Sequence, residues 1–180
     1  MYLNIIRLLI KVNPFLVLCF LLPADLSSHG PSRQKIKESV IINSEISKVW
    51  NLVSDFSKFD WNDDVIKVKT DGSGVGSLRT LIFSGNKEIQ QSLEKLLDEK
   101  KIISWRVKKT DLTILPVNSY QATITLKDLD GKTKVNYKAG FYRGFMGNDP
   151  PEELNDENSK IKAKKFVMKS LNGLKKIAEK

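Results

Sequence analysis

The chain is poor in the side chains that most often carry chemistry. Its 180 residues include one cysteine, Cys19, and one histidine, His29. A lone histidine excludes a Ser-His-Asp triad and any multi-histidine metal site. With an N-terminal amine beside it, His29 could hold copper only weakly, so a solvated residue is the plainer reading. A single cysteine excludes an intrachain disulfide. Long apolar stretches are missing too: Phe15–Leu22 (FLVLCFLL) is an unbroken run of eight, well short of the ~20 residues a membrane-spanning helix needs. The glycine-rich segment Gly72-Ser73-Gly74-Val75-Gly76 has no following Lys-Ser/Thr and leads into a strand pattern, which argues against a phosphate-binding loop.

What is present at the N-terminus reads as an export signal. Arg7 and Lys11 supply a short positive region, Phe15–Leu22 an apolar core, and Pro23 a helix break. Leu26-Ser27-Ser28 suits cleavage after Ser28, with cleavage after Ala24 as the alternative. An uncleaved anchor fits less well, because Lys11 interrupts any longer apolar stretch. Lipidation at Cys19 is disfavoured by Leu18, which stands where a small residue is needed. The chain therefore divides into a signal peptide, residues 1–28, and a single domain, residues 29–180. The protein is expected in the periplasm, with no stable membrane insertion after cleavage.

The whole chain has 30 basic and 21 acidic residues, a formal charge of +9. Removing Arg7, Lys11 and Asp25 with the signal leaves 28 and 20, a charge of +8. The lysines are scattered through strands and helix and accompany no RNA-binding or helix-turn-helix pattern, so nucleic acid is not an expected partner. A basic surface of this kind is either simply solvated or docks onto an acidic protein or membrane surface.

Hydrophobic periodicity gives the element order. Lys35–Ile42 reads as a first strand. Asn43 and Ser44 offer an N-cap, Glu45 suits a first turn, and Ile46, Val49, Trp50 and Val53 follow at helical spacing. Asp55–Trp61, with three aromatics, reads as a second short helix. Val65–Thr70 and Ser77–Ser84 read as strands, separated by the glycine-rich turn. Lys87–Asp98 has helical propensity, but its place between strand patterns makes it a strand. Ile103, Trp105 and Val107 alternate with Ser104, Arg106 and Lys108. Tyr120, Ala122, Ile124 and Leu126 form another apolar row, and an Asp130-Gly131 turn leads to Val135, Tyr137, Ala139 and Phe141. Asp149-Pro150-Pro151-Glu152 signals a helix start. The long helix that follows carries a stripe of Ile161, Ala163, Phe166, Val167, Leu171, Leu174 and Ile177. The economical architecture is α+β: a curved antiparallel sheet of about six or seven strands wrapped on a long C-terminal helix, with two short helices after strand 1.

Several strings in this order resemble the START-related helix-grip fold, in the branch called polyketide cyclase/dehydrase or SRPBCC. They are Val49-Trp50-Asn51-Leu52-Val53-Ser54-Asp55-Phe56, Gly76-Ser77-Leu78-Arg79, Glu94-Lys95-Leu96-Leu97-Asp98 and Leu115-Pro116-Val117-Asn118-Ser119-Tyr120. A narrower resemblance, to exported MxaD-like proteins, rests on HGPSRQKI (29–36), Phe141-Tyr142-Arg143-Gly144, and Asn148-Asp149-Pro150-Pro151-Glu152 with Asn155-Asp156. It implies a role in periplasmic methanol oxidation, assisting electron transfer between methanol dehydrogenase and its cytochrome c. One departure is that Asp63-Asp64 follows Trp61-Asn62, where relatives tend to have a tryptophan, a histidine or asparagine, and then a proline.

Candidate site residues follow from the fold. Trp61, Arg79, Phe83, Trp105, Tyr120, Tyr137 and Phe141 could line a cavity for an apolar small molecule, or could simply fill the core. Tyr142, Arg143 and Phe145 form the best patch for docking a protein. Glu94 and Asp98 lie ~13 Å apart along a strand, too far to work as a carboxylate pair. No nucleophile has an evident activating base, and no catalytic residue, metal site or cofactor is assigned. The leading reading is a non-enzymatic accessory protein of methanol oxidation. The alternatives are a carrier or sensor of an apolar molecule, and a cyclase-like enzyme.

Overall fold

A computed structural model of the protein describes residues 30–180. The expected signal peptide and cleavage site, with Cys19 and His29, lie outside the described residues. The order is β1 (Gln34–Ile42), α1 (Ile46–Ser54), β2 (Lys67–Asp71), β3 (Leu78–Phe83), β4 (Lys87–Leu97), β5 (Ile102–Thr110), β6 (Val117–Asp128), β7 (Thr133–Arg143) and α2 (Asp156–Ala178). Short 3-10 turns occupy Ser84–Asn86 and Glu152–Leu154. The seven strands form one antiparallel sheet in the order β1-β7-β6-β5-β4-β3-β2. The α+β helix-grip architecture is therefore the one the sequence led us to expect.

Period-two burial drives the sheet. On β7, Val135, Tyr137, Ala139 and Phe141 point inward and are 5% exposed or less. Cross-strand register places Ile36 opposite Ala139, Val40 opposite Val135, and Ile124 opposite Tyr137. β4 shows tertiary context overriding propensity. Ile89, Gln91 and Leu93 alternate into the core against β5, with irregularities at Gln90/Gln91 and Leu93/Lys95.

α2 closes the inner face of the sheet with Ala163, Phe166, Val167, Leu171, Leu174 and Ala178. Two details of this helix differ from expectation. Ile161, assigned to the apolar stripe, is 57% exposed. Pro150-Pro151-Glu152 starts only the 3-10 turn; the α-helix starts after Asn155, whose side-chain oxygen accepts the Asn158 amide at 2.8 Å. Gly173 sits mid-helix because a Cβ there would lie 2.0 Å from the Trp61 carbonyl oxygen. That close approach lets Asn62, fully buried, donate to Ser170 Oγ at 2.9 Å.

The expected second short helix does not form. Residues 55–61 fold as turns, with Lys58 N bonding Asp55 O and Asn62 N bonding Phe59 O. Two groups compete with a helix here. The Asp55 carboxylate accepts the Ser57 amide at 3.0 Å, and the Arg79 guanidinium takes the carbonyls of Phe56 and Lys58 at 3.5 and 3.1 Å. Phe56, Phe59 and Trp61 all turn inward, at spacings no single helical face provides. At α1, Glu45 rather than Asn43 or Ser44 occupies the N-cap position, without a side-chain cap.

Candidate functional site

Arg79 is the centre of the candidate site. It lies on β3, directly opposite Gln91 of β4, and both side chains are 1% exposed. Period two puts both on the inner face, where aliphatic side chains would be the ordinary choice. Arg79 Nε donates to Gln91 Oε1 at 2.7 Å, and Nη1 donates to Lys58 O. The guanidinium carbon sits over three rings: Phe56 at 4.1 Å, Phe59 at 4.5 Å and Trp105 at 5.0 Å. No carboxylate among the described residues forms an ion pair with it. Burial therefore pushes its pKa down to about 9, with Tyr137 and Asp55 pulling the other way. Arg79 Nη2 and the indole nitrogens of Trp61 and Trp105 are buried donors without a hydrogen-bond partner among the described residues.

The aromatic chain continues across the sheet. Trp105 of β5 meets Tyr137 of β7 edge-on at 5.7 Å. The Tyr137 hydroxyl is 3.1 Å from that of Tyr120 on β6, and Tyr120 stacks on Phe141 at 5.8 Å. Tyr120 reaches this position across an irregularity between Asn118 and Gln121, where Ser119 has φ +50°. Burial, foremost, raises Tyr120 well above the ordinary tyrosine range and Tyr137 to about 12. At neutral pH the two hydroxyls stay protonated and the guanidinium stays largely charged. The cluster can donate hydrogen bonds and stabilise negative charge, but it offers no general base.

All seven candidate cavity residues are thus gathered in one core, each 3% exposed or less. Trp61 joins through Phe59, whose ring lies 4.9 Å away. Phe83 also lines a surface cleft of about 180 Å³ with Asp64, Thr113, Ile114, Phe166 and the α2 lysines 162, 165 and 169. Behind that cleft, Phe166 stacks on Phe59 at 6.1 Å. A second cleft, about 220 Å³, runs between the glycine-rich loop and Asp55-Phe56-Ser57. Its wall, Phe56, lies over Arg79. Phe56 on one side, and Phe166 backed by Phe59 on the other, therefore stand between these clefts and the buried cation.

Sequence reasoning missed Gln91, Phe56, Phe59 and Phe166 as parts of this site. Gln91 was detectable, since Ile89 and Leu93 flank it at period two and force a polar side chain inward. Phe56 and Phe59 lie in the segment whose pattern suggests a helix, and their inward placement depends on turns that the pattern does not show.

The docking candidates separate. Arg143 is 5% exposed and turned inward. It bonds Asp156 Oδ2 at 2.9 Å and the carbonyls of Phe145 and Gly147 at 2.8 and 2.6 Å. It clasps the loop to α2 rather than facing a partner. Tyr142 is half-buried, with Arg33 over its ring at 5.7 Å. Phe145 and Met146 are 38% and 49% exposed. Glu94 and Asp98 serve different partners: Glu94 binds Arg106 and Gln121, while Asp98 accepts the Trp50 indole and meets Lys101. Among the described residues no three His, Cys, Asp or Glu side chains gather into a metal-holding group.

Solved structures share this fold. XoxI from Bacillus cereus is 20% identical with a TM-score of 0.67, covering 80% of this chain and 94% of that one. The Zhui aromatase/cyclase from Streptomyces sp. R1128 is 18% identical with a TM-score of 0.65, covering 82% and 94%. Norcoclaurine synthase from Thalictrum flavum, in complex with dopamine and hydroxybenzaldehyde, is 14% identical with a TM-score of 0.61, covering 82% and 87%. At these identities the likeness shows the fold alone. No curated protein matches the chain in sequence. The model of the family described as polyketide cyclase / dehydrase and lipid transport matches residues 33–179, and the chain belongs to that family.

Proposed function

We propose that the protein binds a small organic molecule with an apolar body and a hydrogen-bond-accepting or anionic group, held between the sheet and α2 against Arg79. The observation that carries this reading is the buried guanidinium, which among the described residues has no carboxylate partner and leaves Nη2 unpartnered, as are the indole N–H groups of Trp105, whose ring it faces, and of Trp61. Burying a cation this way is costly unless something accepts its hydrogen bonds. A ligand acceptor placed at Nη2 would offset that cost, while Phe59, Trp105, Tyr120 and Phe141 hold the apolar part. Entry requires Phe166 or Phe56 to swing aside. The tyrosines beside the guanidinium keep their protons, so the cluster would act on a bound acceptor by donating hydrogen bonds. A cyclase-like reaction would need a base supplied from elsewhere.

Native mass spectrometry of the protein purified from its own cells tests this. Wild type should retain a small-molecule adduct that Arg79→Met/Gln91→Leu loses while keeping its near-ultraviolet circular dichroism. The bare polypeptide mass for both proteins would count against the reading. The same spectrum reads the N-terminus, where we propose removal of residues 1–28 on export to the periplasm.

A second reading, docking in methanol oxidation, is favoured by the exposed Phe145-Met146 pair that Arg143 holds in place. It combines that patch with the resemblance to MxaD-like proteins. A complex with methanol dehydrogenase or its cytochrome c, lost on Phe145→Ser/Met146→Ser, would sustain it. Unchanged sedimentation of the mixture at low salt would remove it.

A further inference from the structure

The outer face of the sheet, opposite the core, carries an unneutralised set of cations. Register places Lys37 of β1 directly opposite Lys138 of β7. The same row continues through Thr123 of β6 and Ser104 of β5 to Lys95 of β4. The adjacent row runs Lys35, Gly140, Gln121, Arg106. Glu94, at the β4 irregularity, is the acid that meets this face, and Arg106 and Gln121 hold it at 2.7 and 2.8 Å. Lys35, Lys37, Lys95 and Lys138 form no ion pair among the described residues.

Like charges directly opposite in a sheet are destabilising. Lysines on an edge strand can be explained as a guard against edge-to-edge pairing. That accounts for Lys35 and Lys37 on β1, but not for Lys138, because β7 lies inside the sheet between β1 and β6. The geometry is also more organised than a scatter of solvated side chains. Arg33, Lys35, Lys37, Lys138, Gln121 and Thr123 line a cleft of about 240 Å³. Arg33 folds down into it because Gly140 has no Cβ; one there would sit 2.8 Å from Arg33 Nη2.

We infer that this cleft binds a multiply charged oxyanion, a phosphoryl or sulfo group. Four cations line this one cleft, and the Thr123 hydroxyl and the Gln121 amide add neutral donors beside them. A single protein carboxylate would neutralise only one of the four. The lining offers no aromatic or large apolar anchor from its outward-facing side chains, as a protein hot spot or a base-stacking platform would. The site is separate from the Arg79 cluster, which lies on the inner face of the same sheet.

The test is a titration of the full protein with inorganic pyrophosphate at fixed ionic strength, followed by amide chemical shifts. Saturable shifts should centre on residues 33–37, 121–123 and 138–140. Lys37→Gln/Lys138→Gln should weaken binding about tenfold or more, the loss expected for two charge-assisted contacts. Lys160→Gln/Lys176→Gln on α2 makes the same change in net charge and should leave it intact. Vesicles of phosphatidylcholine with phosphatidic acid then distinguish the source. Binding that pyrophosphate displaces assigns the group to a lipid headgroup; binding of free pyrophosphate alone assigns it to a soluble ligand. Equal weakening by both double variants, or shifts that sodium chloride reproduces, would overturn the site.

Discussion

At the residue scale the protein depends on a few side chains whose roles are opposite to their type. Arg79 is a cation in the core, Gln91 is its neutral neighbour, and Gly173 is a helix-interior glycine kept for contact rather than flexibility. Gly173→Ala would drive a Cβ into the Trp61 backbone. It should cost about 1–3 kcal/mol, as overpacked cores do, read as a lower denaturation midpoint. No change in midpoint would mean that α2 and the Trp61 turn can separate without penalty.

Tyr137 makes a pH prediction at the same scale. Its folded pKa, about 12, lies above its ordinary 10.0. The unfolded chain therefore gives up this proton first. Stability from the neutral hydroxyl is complete below the ordinary value and is lost as pH rises toward about 12. Arg79 acts in the opposite sense: its folded pKa, about 9, lies below 12.5, so its burial penalty is relieved above about 9. Comparison with Tyr137→Phe isolates the tyrosine contribution. Wild type should lose stability relative to that variant between pH 10 and 12, and phenolate absorbance should show Tyr120 and Tyr137 lagging. Parallel curves for the two proteins would contradict the buried pair.

At the element scale, what was legible followed from periodicity. Ile103-Trp105-Val107 and Val135-Tyr137-Ala139-Phe141 alternate cleanly, and they became β5 and β7. β4 was legible only from its neighbours, since its composition suits a helix and burial of Ile89, Gln91 and Leu93 decides otherwise. The aromatic segment 55–61 was not legible as turns. Its local propensity is overruled by a guanidinium 21 residues away from Lys58 that captures the carbonyls a helix would use. The start of α2 was displaced for a similar reason: Asn155, not the Pro-Pro-Glu string, supplies the cap. Asn155→Ala should therefore cost roughly 1 kcal/mol, the usual value of an N-cap side chain, measurable by urea denaturation. An unchanged midpoint would return the helix start to Pro150-Pro151.

At the scale of the whole molecule, a sheet wrapped on one helix yields two chemically distinct faces. The concave face buries a polar cluster inside an aromatic shell, and the outer face displays rows of lysine and hydroxyl. The membership of the cluster was largely legible, because Trp61, Arg79, Trp105, Tyr120, Tyr137 and Phe141 fall on inward positions of their strands or turns. Its wiring was not, since sequence cannot show that Arg79 lacks a carboxylate or that Phe56 lies over it. The docking triad was legible only in part: Tyr142 and Phe145 reach the surface, whereas Arg143 is consumed by its own loop.

Recognition of an acceptor group on an apolar molecule by the Arg79 cluster is tested by titration with anilinonaphthalene sulfonate, an apolar ring system bearing an anion. Wild type should bind one equivalent and alter the emission of its buried tryptophans. Arg79→Met/Gln91→Leu, with its fold intact, should bind at least about tenfold more weakly, the loss of roughly one charge-assisted contact. Equal affinity in the two proteins would contradict the account.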